Sequence, residues 1–274
     1  MSWNMNSDID WSAFDPARVD PDILQIIKSA ALVEANAADY VTYLCRIWPE
    51  DPRMHEIFRQ WGEEEKQHGA ALAKWASLAD PEFDFPRALE CFRHMQDIDT
   101  TATTSIRGST TGELIARCVV ETGTSSLYAA IRDLAPEPVL RQLSARIAAD
   151  EFKHYALFSS LIKKQPPLSQ WTRLKIAVSR LFEASDDELA SAYFCAANTP
   201  SQPLVYNRKT FSQAYQLRVM RIYQRRHINR LVAMIARAGG LKPHGLVSRL
   251  LQPIAWFALN RQKNKLLRSA ISHI

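Results

Sequence analysis

Two short stretches carry residues able to hold a metal ion. Glu65-Lys66-Gln67-His68 and Glu151-Phe152-Lys153-His154 each set a carboxylate and an imidazole three residues apart, and positions three apart share one face of an α-helix. Each motif follows another glutamate, Glu34 or Glu121, after about thirty residues, enough for two helix halves and a turn. The pattern is a twofold repeat of a glutamate, an antiparallel return, and Glu-x-x-His. Four carboxylates and two imidazoles make a mixed oxygen and nitrogen site suited to a pair of iron or manganese ions. The cations would offset carboxylate charge that is otherwise very costly to bury. Glu64 and Asp150 each precede a ligand glutamate, where they either orient the histidines as acceptors or are ordinary surface charges.

These residues act together only if four helices present them to one core, and the apolar patterning supports that. Glu34 lines up with Ile27, Ala30, Ala31, Ala38 and Val41, and Glu65 and His68 with Phe58, Trp61, Leu72 and Trp75. Glu121 is flanked by Leu114, Cys118 and Tyr128, and Glu151 and His154 by Leu143, Ile147, Tyr155, Phe158 and Leu161. Every proposed ligand therefore lies on an apolar stripe that should face inward. The four helices are expected at about Asp20 to Trp48, Pro52 to Leu78, Thr110 to Leu134 and Pro136 or Pro138 to Lys164. A capping box of Thr110 and Glu113 opens the third. A short helix is expected around Arg87 to Met95, and a loop from Asp97 to Thr110.

Pro166 and Pro167 stop the fourth helix and set a boundary. Residues 1–167 form the bundle, and residues 168–274 form a basic helical extension packed on it or appended to it. Its helices are expected at about Leu168 to Ala184, Asp186 to Ala197, Lys209 to Ala238 and Pro243 to Ala270. The fold class is all-α, and 274 residues with 47% hydrophobic content can bury a sizeable core.

The formal charge of +5 conceals an asymmetry. Met1 to Ser169 holds 17 basic and 25 acidic residues, a net of −8, whereas Gln170 onward holds 17 basic and 4 acidic, a net of +13. Such a cationic half would steer acidic proteins. Arg218, Arg221, Arg225, Arg226 and Arg230, with Leu217, Ile222, Ile228 and Leu231 nearby, also suit an amphipathic helix at an anionic membrane surface, a nucleic acid, or a solvated face packed on the bundle. Cys45, Cys91, Cys118 and Cys195 include no C-x-x-C pair, which excludes a zinc ribbon or a rubredoxin-type iron site. They read as reduced, mostly buried thiols of a cytoplasmic protein. The polar, acidic start is unlike a secretory signal, and no run reaches the ~20 apolar residues of a spanning helix.

Trp61-Gly62-Glu63-Glu64-Glu65-Lys66-Gln67-His68-Gly69 resembles the W-x-x-E-E-x-x-H-G segment of soluble acyl-carrier-protein desaturases, and Ala149-Asp150-Glu151-Phe152-Lys153-His154 resembles their A-D-E-x-x-H segment. Glu34-Ala35 sits where that family has its first-helix glutamate. The likeness runs from about Ala30 to Leu161 at the level of motifs. It implies a ferritin-like four-helix bundle with additional C-terminal helices, holding two iron ions, with manganese as the other choice. The implied activity is an O2-dependent oxidation of a C–H bond in a hydrophobic acyl or lipid substrate, as a desaturase or hydroxylase. Implied partners are an external electron donor such as ferredoxin, an acyl carrier protein, and a second copy in a homodimer. By the same resemblance Thr124, three residues after Glu121, delivers protons at the oxygen-binding face; alternatively it back-bonds to its own helix. Trp61, Trp75, Tyr128, Tyr155 and Phe158 either line the substrate channel or pack the core. After Pro167 no match to that family is found, so the substrate is not fixed.

Two other activities use the same six ligands. One is a rubrerythrin-like peroxidase or iron oxidase, disfavoured by the lack of a C-x-x-C iron site and the presence of Thr124. The other is a di-iron hydroxylase of tRNA or of a small molecule.

Overall fold

The first-turn N–H groups of a helix need acceptors from outside it, and acids or serine stand ready at the main starts. Asp20 caps α1 (Pro21–Ala35), Asp51 caps α3 (Pro52–Ala79), Ser109 caps α5 (Thr110–Leu134) and Glu137 caps α6 (Pro138–Ile162), after α2 (Ala37–Ile47) and α4 (Phe85–Met95) have been placed in sequence. The computed structural model describes residues 3–96, 98–183, 187–199 and 203–271. Later helices are α7 (Gln170–Glu183), α8 (Glu188–Ala197), α9 (Arg208–Ile222), α10 (Arg225–Ala238) and α11 (Leu246–Ile271), and no strand occurs among the described residues. The chain is all-α. The expected limits at Asp97, Ala184 and Asp186 lie outside the described residues.

Three local expectations are corrected. The helix from Asp20 to Trp48 is broken at Asn36 (φ −89°, ψ 11°), whose N–H bonds the Val33 carbonyl at 3.1 Å and tightens the last turn of α1 just after Glu34. The helix from Lys209 to Ala238 is broken at Tyr223 and Gln224, which are extended; there the Gln224 N–H donates to His227 Nδ1 at 3.0 Å and starts α10 afresh. The cap of α5 is Ser109, accepting from the Gly112 N–H at 3.1 Å. Glu113 is drawn away from that role because it accepts from the hydroxyls of Tyr43 at 2.9 Å and Ser105 at 2.8 Å.

Helix α1 pairs with α3, α5 pairs with α6, and α3 meets α6. One apolar cluster holds Ile26, Ile27, Leu72, Trp75, Tyr128 and Leu143; the other holds Phe58, Trp61, Leu114, Cys118, Tyr155 and Phe158. The helices beyond Pro167 pack on this frame, α8 against α1, and α7 and α10 against α5.

The opposite charges of the two halves meet in surface ion pairs between the C-terminal helices and the bundle. Arg218 and Arg221 reach Asp22 at 3.1 and 2.6 Å. Arg226 and His227 reach Asp133 at 2.8 and 2.9 Å, and Arg230 lies over the Phe152 ring. Much of the arginine row therefore serves packing. The exposed apolar face is instead on α11, at Leu246, Leu250, Ile254 and Phe257, and no helix among the described residues is long and apolar enough to cross a membrane. Of the four cysteines, Cys91 and Cys195 are joined as a disulfide with Cα atoms 5.8 Å apart. This corrects the expectation of four reduced thiols: the packing of α4 on α8 brings together residues remote in sequence.

Candidate metal centre

The six residues of the twofold repeat converge at the centre of α1, α3, α5 and α6. Their ligand atoms fall into two overlapping groups, Glu34 with Glu65, His68 and Glu151, and Glu121 with Glu65, Glu151 and His154. Within each group the atoms lie within 4.8 Å of one another. Glu65 and Glu151 belong to both groups, so the glutamates of the two Glu-x-x-His motifs are the shared pair. Glu34 with His68, and Glu121 with His154, close the two ends. Either group is able to hold a metal ion.

All six residues are buried, and their unmet bonding capacity fits cations. His68 Nδ1 lies 3.1 Å from Glu151 Oε1, yet neither atom makes a hydrogen bond. His154 Nδ1 and Glu121 Oε1 are likewise without one. Buried polar atoms are nearly always satisfied, and four such orphans facing one space are a donor set that fits metal cations. The titration behaviour agrees. Burial, followed by the nearby Glu65 charge, raises Glu34 well above the usual carboxylate range, and burial raises Glu121 in the same way. Burial alone would lower His68, but Asp150, Glu151 and Glu65 outweigh it and hold the ring's pKa well above its usual value. His154 is raised by Glu121, Glu151, Glu64 and Glu65 against the same burial effect.

Behind the ligands the two motifs support each other crosswise. His154 Nε2 lies 2.8 Å from Glu64 Oε2, and His68 Nε2 lies 3.4 Å from Asp150 Oδ2. A carboxylate at Nε2 fixes the tautomer that turns the Nδ1 lone pair inward. Each acid thus orients the imidazole of the other Glu-x-x-His segment, because the residue before a ligand glutamate faces across the α3–α6 seam. Losing one such acceptor weakens metal binding about 10- to 100-fold. Glu64→Ala is expected to do so without removing a ligand, measured by competition against a chelator, and a change below about twofold would mean that His154 is held by something else.

Trp3 completes this layer, and its part was not legible in the sequence. Its indole N–H donates to Asp150 Oδ2 at 2.7 Å, and its ring stacks on His68 with centroids 6.1 Å apart. The only hint was an aromatic residue in an otherwise polar N-terminal stretch.

On the opposite face, Thr124 Oγ1 donates to Glu151 Oε2 at 2.7 Å, and its contacts with the Glu121 and Val120 carbonyls are longer, at 3.3 and 3.4 Å. The Tyr128 hydroxyl donates to Glu34 Oε1 at 2.5 Å. A cavity of about 50 Å³ borders Glu34, Glu65, Glu121, Thr124 and Glu151. Beside it lies an apolar cavity of about 210 Å³, walled by Val119, Leu127, Tyr128, Leu189, Val219 and Ile235 among others. Of the aromatic candidates for a channel, Trp61 borders the first cavity and Tyr128 the second. Trp75 is fully buried and donates to Glu137 at 2.8 Å. Phe158 packs edge-on against Trp61 in the core. Tyr155 donates to the Met234 carbonyl at 2.8 Å beside a separate surface pocket. The wall contributed by α7 to α10 had no sequence signal.

No protein-family model matches the chain, and no curated protein matches it.

Proposed function

We propose that this protein is a di-iron, O2-dependent oxidoreductase of ferritin-like architecture that attacks a C–H bond of a hydrophobic, acyl-type substrate. The observation that carries this reading is the position of Thr124. Its hydroxyl meets a shared ligand carboxylate, and the same residue borders both the small polar chamber and the apolar cavity. An apolar cavity beside the polar chamber suits an organic substrate, which favours this reading over a peroxidase or an iron oxidase.

Glu34, Glu65, His68, Glu121, Glu151 and His154 would hold the two ions, which when bound supply the reduction of dioxygen and the hydrogen abstraction. The chain supplies placement and protons. The cavity walls exclude water and lay the substrate against the chamber. Thr124 Oγ1 holds a proton 2.7 Å from Glu151 Oε2, where it can be passed toward the chamber. Tyr128 fixes one oxygen of Glu34, and Asp150 and Glu64 keep the imidazoles turned inward. Removing two hydrogens from a substrate gives two of the four electrons that reduce O2 to water, and an external donor must give the other two.

Oxygen consumption by iron-loaded protein given reductant tests the reading. Thr124→Val keeps the side-chain volume and removes the proton, so it is expected to retain two irons while turnover falls by roughly 100-fold or more; Thr124→Ser is expected to restore it. Protein purified without iron or manganese after metal supplementation would end the proposal. A deletion strain carrying Glu121→Ala, if its acyl composition matched the wild type, would shift the assignment to hydroxylation of another substrate, peroxide reduction or iron oxidation.

A further inference from the structure

The two cavities share a charged boundary. Val33, Glu34, Val120, Thr124, Arg180 and Glu188 border both. Arg180, on α7, is 8% exposed and makes no hydrogen bond or ion pair among the described residues. A guanidinium cannot be deprotonated in a protein, and a buried charge without a counter-ion is very costly. The neighbouring groups relieve it only in part, because no acid among the described residues comes within ion-pair distance. Glu188 accepts from the Tyr40 hydroxyl at 2.9 Å. Arg117, also buried, is a second positive charge: its guanidinium lies over the Tyr40 ring at 4.7 Å, and its Nε has no hydrogen-bond partner. The carboxylate of Glu113 is 3.9 Å from that nitrogen. Burial and then Arg117 lower the Arg180 pKa and outweigh the opposite pull of Glu188 and Tyr40, as an incompletely compensated charge requires.

An arginine aimed into a junction between a polar chamber and an apolar cavity lacks one thing, a planar anion. We propose that Arg180, with Arg117 behind it, binds the carboxylate of an amphiphilic free acid whose apolar chain fills the 210 Å³ cavity. The chamber of about 50 Å³ has room for a carboxylate and not for a bulky headgroup. This deepens the proposed function and rests on its reading of the cavity as the substrate site. It makes the substrate a free acid rather than a thioester.

Binding of decanoate, methyl decanoate and decan-1-ol to iron-loaded wild-type protein, followed by calorimetry, tests this without turnover. Decanoate is expected to bind at one site per chain, at least about tenfold tighter than its ester or alcohol, a step of about 1.4 kcal/mol. Arg180→Gln is expected to bring the acid down to the affinity of the ester at unchanged iron content, and Arg180→Lys to keep part of the preference. Gly123 lines the cavity and has nothing within 4 Å of a Cβ placed on it, so Gly123→Leu is expected to remove binding of acid and ester alike. Equal affinity of acid and ester for the wild type, or an acid preference that survives Arg180→Gln, would overturn the proposal. Acid binding without any oxidation would overturn the oxidase reading and leave the anion site standing; oxidation of the ester at the rate of the acid would do the reverse.

Discussion

Stripping the metal with a chelator is expected to lower the midpoint of thermal unfolding by on the order of 10 °C, and Glu151→Ala is expected to abolish that difference. A ligand held at a thousand times its dissociation constant stabilises the fold by about 4 kcal/mol, and each kcal/mol moves the midpoint of a chain this size by about 2–4 °C. Without cations, Glu34, Glu65, Glu121 and Glu151 share one buried space with orphaned imidazole nitrogens. Glu65 and Glu151 belong to both ligand groups, while Glu34 and Glu121 belong to one each. Loss of either shared glutamate should therefore remove both ions, and loss of Glu34 or Glu121 should remove one. Metal-to-protein ratios from mass spectrometry on the four alanine variants decide it. If Glu151→Ala held as much metal as Glu34→Ala, the shared role would be wrong.

The same cluster fixes the sign of the pH dependence. In the metal-free state Glu34 and Glu121 have raised pKa values, from burial first, and His68 and His154 are raised by the carboxylates around them. Groups raised above their unfolded values stabilise the fold below those unfolded values and lose that contribution as pH climbs through the folded ones. Glu65 and Glu151 are lowered instead and act only at acid pH. Between pH 6 and pH 8 the metal-free protein therefore weakens as pH rises, whereas a loaded site would already have released these protons. The chelator-induced drop should grow from pH 6 to pH 8, and metal uptake in weak buffer should release protons.

The convergence of the six residues was legible because helical periodicity alone places residues three apart on one face. An apolar stripe around Glu34, Glu65, Glu121 and Glu151 then says which face is buried. Nothing local could reveal partners brought from afar. Trp3 reaches His68 across most of a helix pair, Arg180 reaches the chamber from beyond Pro167, and Cys91 meets Cys195 only because α4 packs on α8. The crossing of Glu64 to His154 and Asp150 to His68 is of the same kind. The charge asymmetry was visible, but its partial pairing was not: Arg218, Arg221 and Arg226 meet Asp22 and Asp133 of the bundle at the surface. The breaks at Asn36 and at Tyr223–Gln224 escaped because neither carries a proline or a glycine; each arises from a hydrogen bond made only in the folded chain.

Gly69→Ala is expected to cost about 3 kcal/mol, at the upper end for overpacking, and with it the ion on the Glu34 side. A Cβ at Gly69 would stand 2.6 Å from the Ala35 nitrogen, 2.9 Å from its Cα and 3.0 Å from its Cβ. None of these is the free end of a side chain that can swing aside, so α1 and α3 must separate. Glu34 is the next residue along α1, and His68 is the neighbour of Gly69 on α3, so separation opens the group that holds both. The other group takes its ligands from α3, α5 and α6 and does not need α1. Metal content should therefore fall toward one ion per chain, while the unfolding midpoint falls by about 6–12 °C. Gly123→Ala is the control: it too lies in a helix beside the site, but nothing stands within 4 Å of its added Cβ, and losing glycine's backbone freedom should gain about 0.5–1 kcal/mol. Equal stability of the two variants, with full metal in both, would show that the α1–α3 approach at Gly69 does not set the spacing of the centre.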